Sequence, residues 1–130
     1  MATRSMAERR DEARVAYNVF YSNCPSRQVL EMLSDKWVSM VIKALSEGPR
    51  RYSELRRYIA GISQKMLTQT LRTLERDGVV SRTVTPAVPV RVDYALTDLG
   101  NTLLPVMASI TSWAESHIDE IMTARDEFDA

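Results

Sequence analysis

GISQKMLTQTLRTLERDG, residues 61–78, is the stretch on which the fold turns. Gly61 supplies a tight turn before Ser63, and from Ser63 a helix of about four turns runs until Gly78 can end it through a left-handed cap. Leu67, Leu71 and Leu74 recur at i, i+4 and i+7, while Lys65, Thr68, Gln69, Arg72 and Arg76 fall on the opposite side. One face is made for burial, the other for solvent or a polar partner.

Just upstream, RRYSELRRYIAGIS (50–63) predicts a short helix capped by Ser53, with Leu55, Tyr58 and Ile59 facing inward. Helix, short glycine-containing turn, helix is the outline of a helix-turn-helix. After Gly78 the period becomes alternating: Val80, Arg82 and Val84 share one face, and Val90, Val92, Tyr94 and Leu96 alternate with Arg91, Asp93 and Ala95. Two strands joined by Pro86-Ala87-Val88-Pro89 predict a hairpin with a stiffened tip, a wing.

Farther out, KWVSMVIKALSEGP (36–49) places Trp37, Val41, Ile42 and Leu45 on one helical face and ends at Gly48-Pro49. Pro25 marks a helix start, and Val29, Leu30 and Leu33 continue it at helical spacing. Residues 5–20 read as a further helix with Ala13, Ala16, Val19 and Phe20 near one face. On the C-terminal side, Thr97-Asp98 caps a helix expected to run to about Thr123, bent at Pro105, with ARDEFDA (124–130) as a frayed acidic tail. Its stripe of Leu99, Leu103, Val106, Ile110 and Trp113, flanked by Met107, Ala114, Ile118 and Ile121, is wider than a small domain covers alone. At ~1.5 Å per residue the helix would span about 40 Å, and a second copy of the chain is the expected partner. The fold class is therefore mainly α with a small β-hairpin: a winged helix-turn-helix over 24–96, an N-terminal helical extension over 1–23, and a C-terminal dimerisation helix with its tail over 97–130.

Composition agrees with a packed fold of 130 residues, 45% hydrophobic and 26% charged. No apolar run approaches the roughly 20 residues of a membrane helix, and the N-terminus has no apolar stretch to act as a signal, so a cytoplasmic protein is expected. One cysteine and one histidine exclude an intrachain disulfide and the usual zinc patterns; no cofactor is expected. Neither a nucleophile with its base nor a phosphate-binding glycine loop is present, which argues against an enzyme. The net charge of zero hides a segregation: residues 50–92 carry nine Lys/Arg against three Asp/Glu, and residues 93–130 carry one against eight. A basic centre with an acidic tail suits a polyanion partner, although a merely solvated basic face stays open on charge alone.

A helix enters the major groove only if its outward face can donate to phosphates or read base edges. Gln64, Lys65, Thr68, Gln69 and Arg72 meet that demand on double-stranded DNA; the alternative is a plain solvated face. Arg51 and Arg56, with Arg50 and Arg57 beside them, are placed to hold phosphates. Arg91 at the base of the tip is the candidate for a minor-groove or flanking-phosphate contact, or else a partner for Asp93. Trp37 and Trp113 read as core or interface packing. His117 is assigned no chemistry.

Cys24-Pro25, Lys36-Trp37, GPRRYSELRR (48–57), GISQKMLTQTLRTLERDG and VPVRVDYALTDLG (88–100) together resemble the HxlR family of bacterial winged-helix transcriptional regulators. The resemblance implies a homodimer formed by the N- and C-terminal helices on a palindromic or pseudo-palindromic operator, with 64–72 as recognition helix and Arg91 as wing arginine. Asp35 stands where the family usually has glycine, and Val90 where a second wing proline is common. Some members sense oxidants, quinones or electrophiles through a cysteine at the position of Cys24. As the cap of a helix beginning at Pro25, with Arg27 one turn away, that thiol would be favoured as thiolate; a buried, inert side chain is the competing reading. Two further alternatives are a regulator governed by a small-molecule ligand and a winged helix that meets an acidic protein instead of DNA.

Overall fold

Pro25 begins the first fully described helix, as its preset φ and missing N–H allow. The computed structural model of the chain describes residues 5–10 and 24–130, in two compact units that divide between Ser39 and Met40. Most of the helix expected over 5–20 lies outside the described residues; residues 6–10 are helical.

In the first unit, Cys24 is the extended N-cap of α1 (Pro25–Ser34). Asp35 ends that helix and starts the next: its Oδ1 accepts from the backbone N–H groups of Trp37 at 2.8 Å and Val38 at 3.4 Å, capping α2 (Lys36–Ala44). The aspartate thus has a local function that a glycine there could not supply. Trp37 is half-buried, with the Lys36 ammonium 4.6 Å from its ring centroid.

The second unit takes up the end of α2 and continues through β1 (Arg50–Arg51), α3 (Tyr52–Tyr58), α4 (Gln64–Arg76), β2 (Val80–Thr85), β3 (Arg91–Leu96), α5 (Asp98–Thr102) and α6 (Leu104–Asp129). Its core is formed by Val41, Ile42 and Leu45 with Leu55, Ile59 and Ile62, the three leucines Leu67, Leu71 and Leu74, and Val79 and Val80. Each fully buried Val, Leu or Ile contributes roughly 1.5–3 kcal/mol, so the leucine face of α4 is a principal anchor of this unit.

Both ends of α4 are satisfied locally. Ser63 Oγ accepts from Met66 N–H at 3.1 Å. At the other end Gly78, at φ +75°, lets its own N–H donate to Glu75 C=O and that of Val79 to Leu74 C=O, closing the helix in a Schellman turn. Gly61, at φ +83°, makes the turn between α3 and α4.

Five expectations are corrected or extended. The cap of α3 is Arg51, whose backbone N–H donates to Glu54 at 3.1 Å; Ser53 lies inside the helix. Tyr58 is 56% exposed instead of inward, its ring stacked under the Arg50 guanidinium at 4.3 Å. The hairpin gains a third strand, order β1-β3-β2, because Arg50 pairs with Tyr94 and Arg51 with Asp93. Pro105 starts a helix and does not bend one: α5 ends at Thr102, and α6 begins at Leu104 with Pro105 in its first turn, where a missing N–H costs nothing. That last helix continues through the supposed frayed tail to Asp129.

Candidate nucleic-acid interface

The two helices of the motif are tied together by a residue the sequence did not single out. Tyr52 Oη donates to the backbone C=O of Gln64 at 2.9 Å and lies 3.2 Å from Thr68 Oγ1. The phenol therefore holds the first turn of α4 against the start of α3. Tyr52 and Gln64 are twelve residues apart, beyond any local pattern.

With its leucines turned inward, α4 exposes Gln64, Lys65, Thr68, Gln69 and Arg72, which line one shallow open groove together with Thr73. The structure thus brings the five expected reading residues onto one surface. Thr68 differs from the others, since its hydroxyl is shared with Tyr52. Arg56 and Arg57 line a second hollow with Tyr52 and Ser53, next to the same helix start. Lys65, Arg72, Arg51, Arg56 and Arg57 are exposed and form no ion pair with any described residue. Arg50 is different: its Nε donates to Ala44 C=O at 2.7 Å and an Nη meets Glu47 at 3.4 Å, which makes it a clamp between the end of α2 and β1.

Arg91 shows the partner that the sequence left open. Its Nε donates to Asp93 Oδ2 at 2.9 Å, and the hydrogen bond and charge of Asp93, with a weaker contribution from Glu54, hold the guanidinium above its usual range. Alternation along the hairpin places Arg91, Asp93, Thr83 and Arg51 on one side of the sheet, and Arg82 with Tyr94 on the other. That second side meets α4: Thr68, Leu71, Arg72, Glu75, Arg82 and Tyr94 line a depression along the seam between helix and hairpin. Arg82 was legible as part of an alternating face; which element that face would meet was not.

Cys24 is 1% exposed, and its side chain makes no capping hydrogen bond. Nearby Arg27 is occupied by Glu31 at 3.2 Å. His117 stacks on Trp113 with ring centroids 4.6 Å apart. Among the described residues no cluster of His, Cys, Asp or Glu could hold a metal, and no helix is long and apolar enough to cross a membrane.

The profile of the HxlR-like helix-turn-helix family matches residues 32–122. The chain is 43% identical over 110 residues to the uncharacterized HTH-type transcriptional regulator YtfH of Escherichia coli (strain K12), a match that covers 85% of this chain and 87% of that one. Among solved structures it resembles the transcriptional regulator YtfH of Salmonella typhimurium, at 38% identity and a TM-score of 0.74 over 84% of this chain and 97% of the other. It also resembles the redox regulator HypR in its oxidized form, at 40% identity and a TM-score of 0.67 over 72% and 96% of the two chains. With a paired helix-turn-helix, a three-stranded wing and relatives of this closeness, the protein belongs to the HxlR-like helix-turn-helix family, and is a winged-helix transcriptional regulator and not an enzyme.

Proposed function

We propose that the protein acts as a homodimer that inserts α4 of each copy into the major groove of a palindromic operator and so regulates nearby genes. The observation that carries this reading is the division of α4: Leu67, Leu71 and Leu74 are buried, and Gln64, Lys65, Gln69 and Arg72 stand together on the outer surface. Amide side chains suit adenine and an arginine fork suits guanine, each good bidentate pair being worth about 1–3 kcal/mol of discrimination. Thr68, positioned by Tyr52, contacts a phosphate or a thymine methyl. Arg51 and Arg56 hold backbone phosphates and set the register without reading sequence. Arg91 keeps Nε on Asp93 and offers its Nη groups to a flanking phosphate.

Pairing of two copies is supported by α6, which buries no side chain and leaves Val106, Ile110 and Trp113 exposed along one stripe, with Ile118 exposed beside it. Two reading helices related by a two-fold axis then require half-sites about 34 Å apart, or a multiple. Control by oxidation or alkylation of Cys24 is the finer part of the proposal, supported by the likeness to a redox regulator. Because the thiol is buried, a reagent reaches it only after local opening, and modification would prevent the helix start from closing again.

Selection of bound duplexes from a random pool, with and without diamide, tests all three parts. Enrichment of an inverted repeat supports the dimeric reading; salt-insensitive binding with no enriched sequence rejects DNA recognition altogether. If Cys24→Ser responds to diamide as the parent does, thiol control falls and DNA recognition stands.

A further inference from the structure

The depression between α4 and the hairpin contains groups that no role so far uses. Arg82 projects from β2, and its strand partner across the ladder is Tyr94 of β3. Both line the seam with Arg72 of α4, above a floor that includes Leu71. Neither Arg72, Arg82 nor the Tyr94 hydroxyl has a hydrogen-bonding or ionic partner among the described residues. Two arginines and a tyrosine from three elements, their side-chain donors unengaged, thus line one hollow. Like charges gathered without counter-charges are costly unless an anion joins them. Glu75 also lines the hollow and pairs with neither arginine. It keeps the net charge at one positive unit, which suits a singly charged anion better than a doubly charged one.

We propose that Arg82, Arg72 and the Tyr94 hydroxyl form a seat for one backbone phosphodiester of the bound duplex, at the edge of the groove that α4 enters. This rests on the DNA-binding reading above and adds to it a contact that fixes the depth and tilt of the helix. A phosphodiester carries one negative charge and two terminal oxygens, enough to accept from a guanidinium fork and a phenol together. The seat spans α4 and β2, so it also locks the wing to the reading helix when DNA is present. Sequence preference lies with the remaining outer residues of α4, Gln64, Lys65 and Gln69; Arg72, whose fork could otherwise meet guanine, is here committed to the phosphate.

The test uses the full chain and a duplex taken from the selection. Arg82→Gln should weaken binding about fivefold at 0.15 M salt, the counterion-release value of a single phosphate, and lower the salt slope by about 0.9. The ratio of operator to scrambled duplex should not change. Arg82→Lys, which keeps the charge, should recover the parent slope. Tyr94→Phe should weaken binding about threefold and leave the slope where it was, because the lost donor is uncharged. Glu75→Gln should tighten binding to both duplexes. A scan of duplexes with a single neutral methylphosphonate should then find one position per half-site that weakens the parent and has no further effect on Arg82→Gln. Thermal melts of each variant report folding independently.

A parent that binds duplex with a steep salt slope, while Arg82→Gln behaves identically, overturns the seat and leaves the DNA-binding reading in place. A parent that retains no duplex at any salt overturns the DNA-binding reading itself. Inorganic phosphate, titrated at constant ionic strength, separates the two sources of the anion. If it raises the melting temperature of the parent at millimolar concentration but not that of Arg82→Gln, and no methylphosphonate position couples to Arg82, the hollow serves a free phosphorylated molecule and the proposal is wrong.

Discussion

Replacing Tyr52 by phenylalanine removes one oxygen from the joint between the two helices of the motif. The hydroxyl makes a 2.9 Å bond to the Gln64 carbonyl and a 3.2 Å contact with Thr68 Oγ1. A neutral hydrogen bond contributes about 0.5–1.5 kcal/mol net. The α-helical ladder also uses carbonyls in the first turn, so the Gln64 oxygen is not orphaned when the phenol is lost. The cost should therefore sit in the lower half of that range, about 0.5–1 kcal/mol, seen as a fall of about 2–5 °C in melting temperature for a chain of this size. The same figure bounds the effect on operator binding. A bond worth ~1 kcal/mol can bias the docking-competent angle between α3 and α4 by a factor of about five and no more, since ~1.4 kcal/mol is tenfold. Fluorescence anisotropy on operator and scrambled duplexes, alongside thermal melts, reads both quantities. Tyr52→Phe should lose two- to fivefold on the operator and less on the scrambled duplex, with the ring still packed. A loss well above tenfold with an unchanged melting temperature would mean that the hydroxyl touches DNA directly, and the positioning argument would be refuted.

Other perturbations test separate joints. Ser63→Ala removes the side-chain acceptor from Met66 N–H and should destabilise the chain by about 1 kcal/mol in urea titrations. Gly100→Ala improves helix propensity, yet a Cβ there would run into the Val79 carbonyl oxygen and crowd Leu96; a net loss of about 1–3 kcal/mol is expected, and a gain would show that the α5 backbone yields. Ile110→Glu, on a stripe where Ile110 and Trp113 are each 57% exposed, should convert dimer to monomer in sedimentation velocity without lowering helix content of the rest of the chain. Cys24 should react with a chromogenic disulfide reagent much more slowly in buffer than in denaturant; equal rates would contradict its burial.

Where the sequence carried a period and punctuation at both ends, the fold was legible. The leucines of α4 repeat at helical spacing between Ser63 and Gly78, and both ends behave as those residues demand. The hairpin was legible from its alternation, and its register pairs Val80 with Leu96 through Thr85 with Arg91. A two-residue strand has no period to detect, so β1 appears only once β3 offers it a partner. Spacing alone turns Tyr58 inward, but an arginine eight residues earlier offers its ring a cationic face at the surface. Ser53 has the chemistry of a cap and lost to Arg51 because Glu54 reaches back to the Arg51 amide, a decision made by geometry and not by residue type. The candidate site follows the same division. Residues on α4 could be grouped from the helical repeat, whereas Tyr52, Arg82 and Tyr94 reach it across the fold and left no local signature.

The break at Leu103, just before Pro105, changes what α6 must do. Had one helix run from Asp98 onward, its first turns could have anchored the remainder to the core through Gly100, the buried residue of α5. Instead α5 stops after five residues, and α6 sets out as a separate 26-residue helix in which no side chain is buried. A helix whose apolar stripe finds no cover among the described residues gains little from packing with them, and most helix stability in proteins comes from packing and not from intrinsic propensity. If a second copy supplies that cover, folding of α6, dimer formation and operator binding share one free energy. The helicity of α6 would then rise with protein concentration, and added operator would raise it further at a fixed concentration. Circular dichroism across a dilution series, with and without duplex, tests this coupling; ellipticity that stays constant down to concentrations at which the protein sediments as a monomer would show that α6 stands alone and would remove the physical reason for a partner.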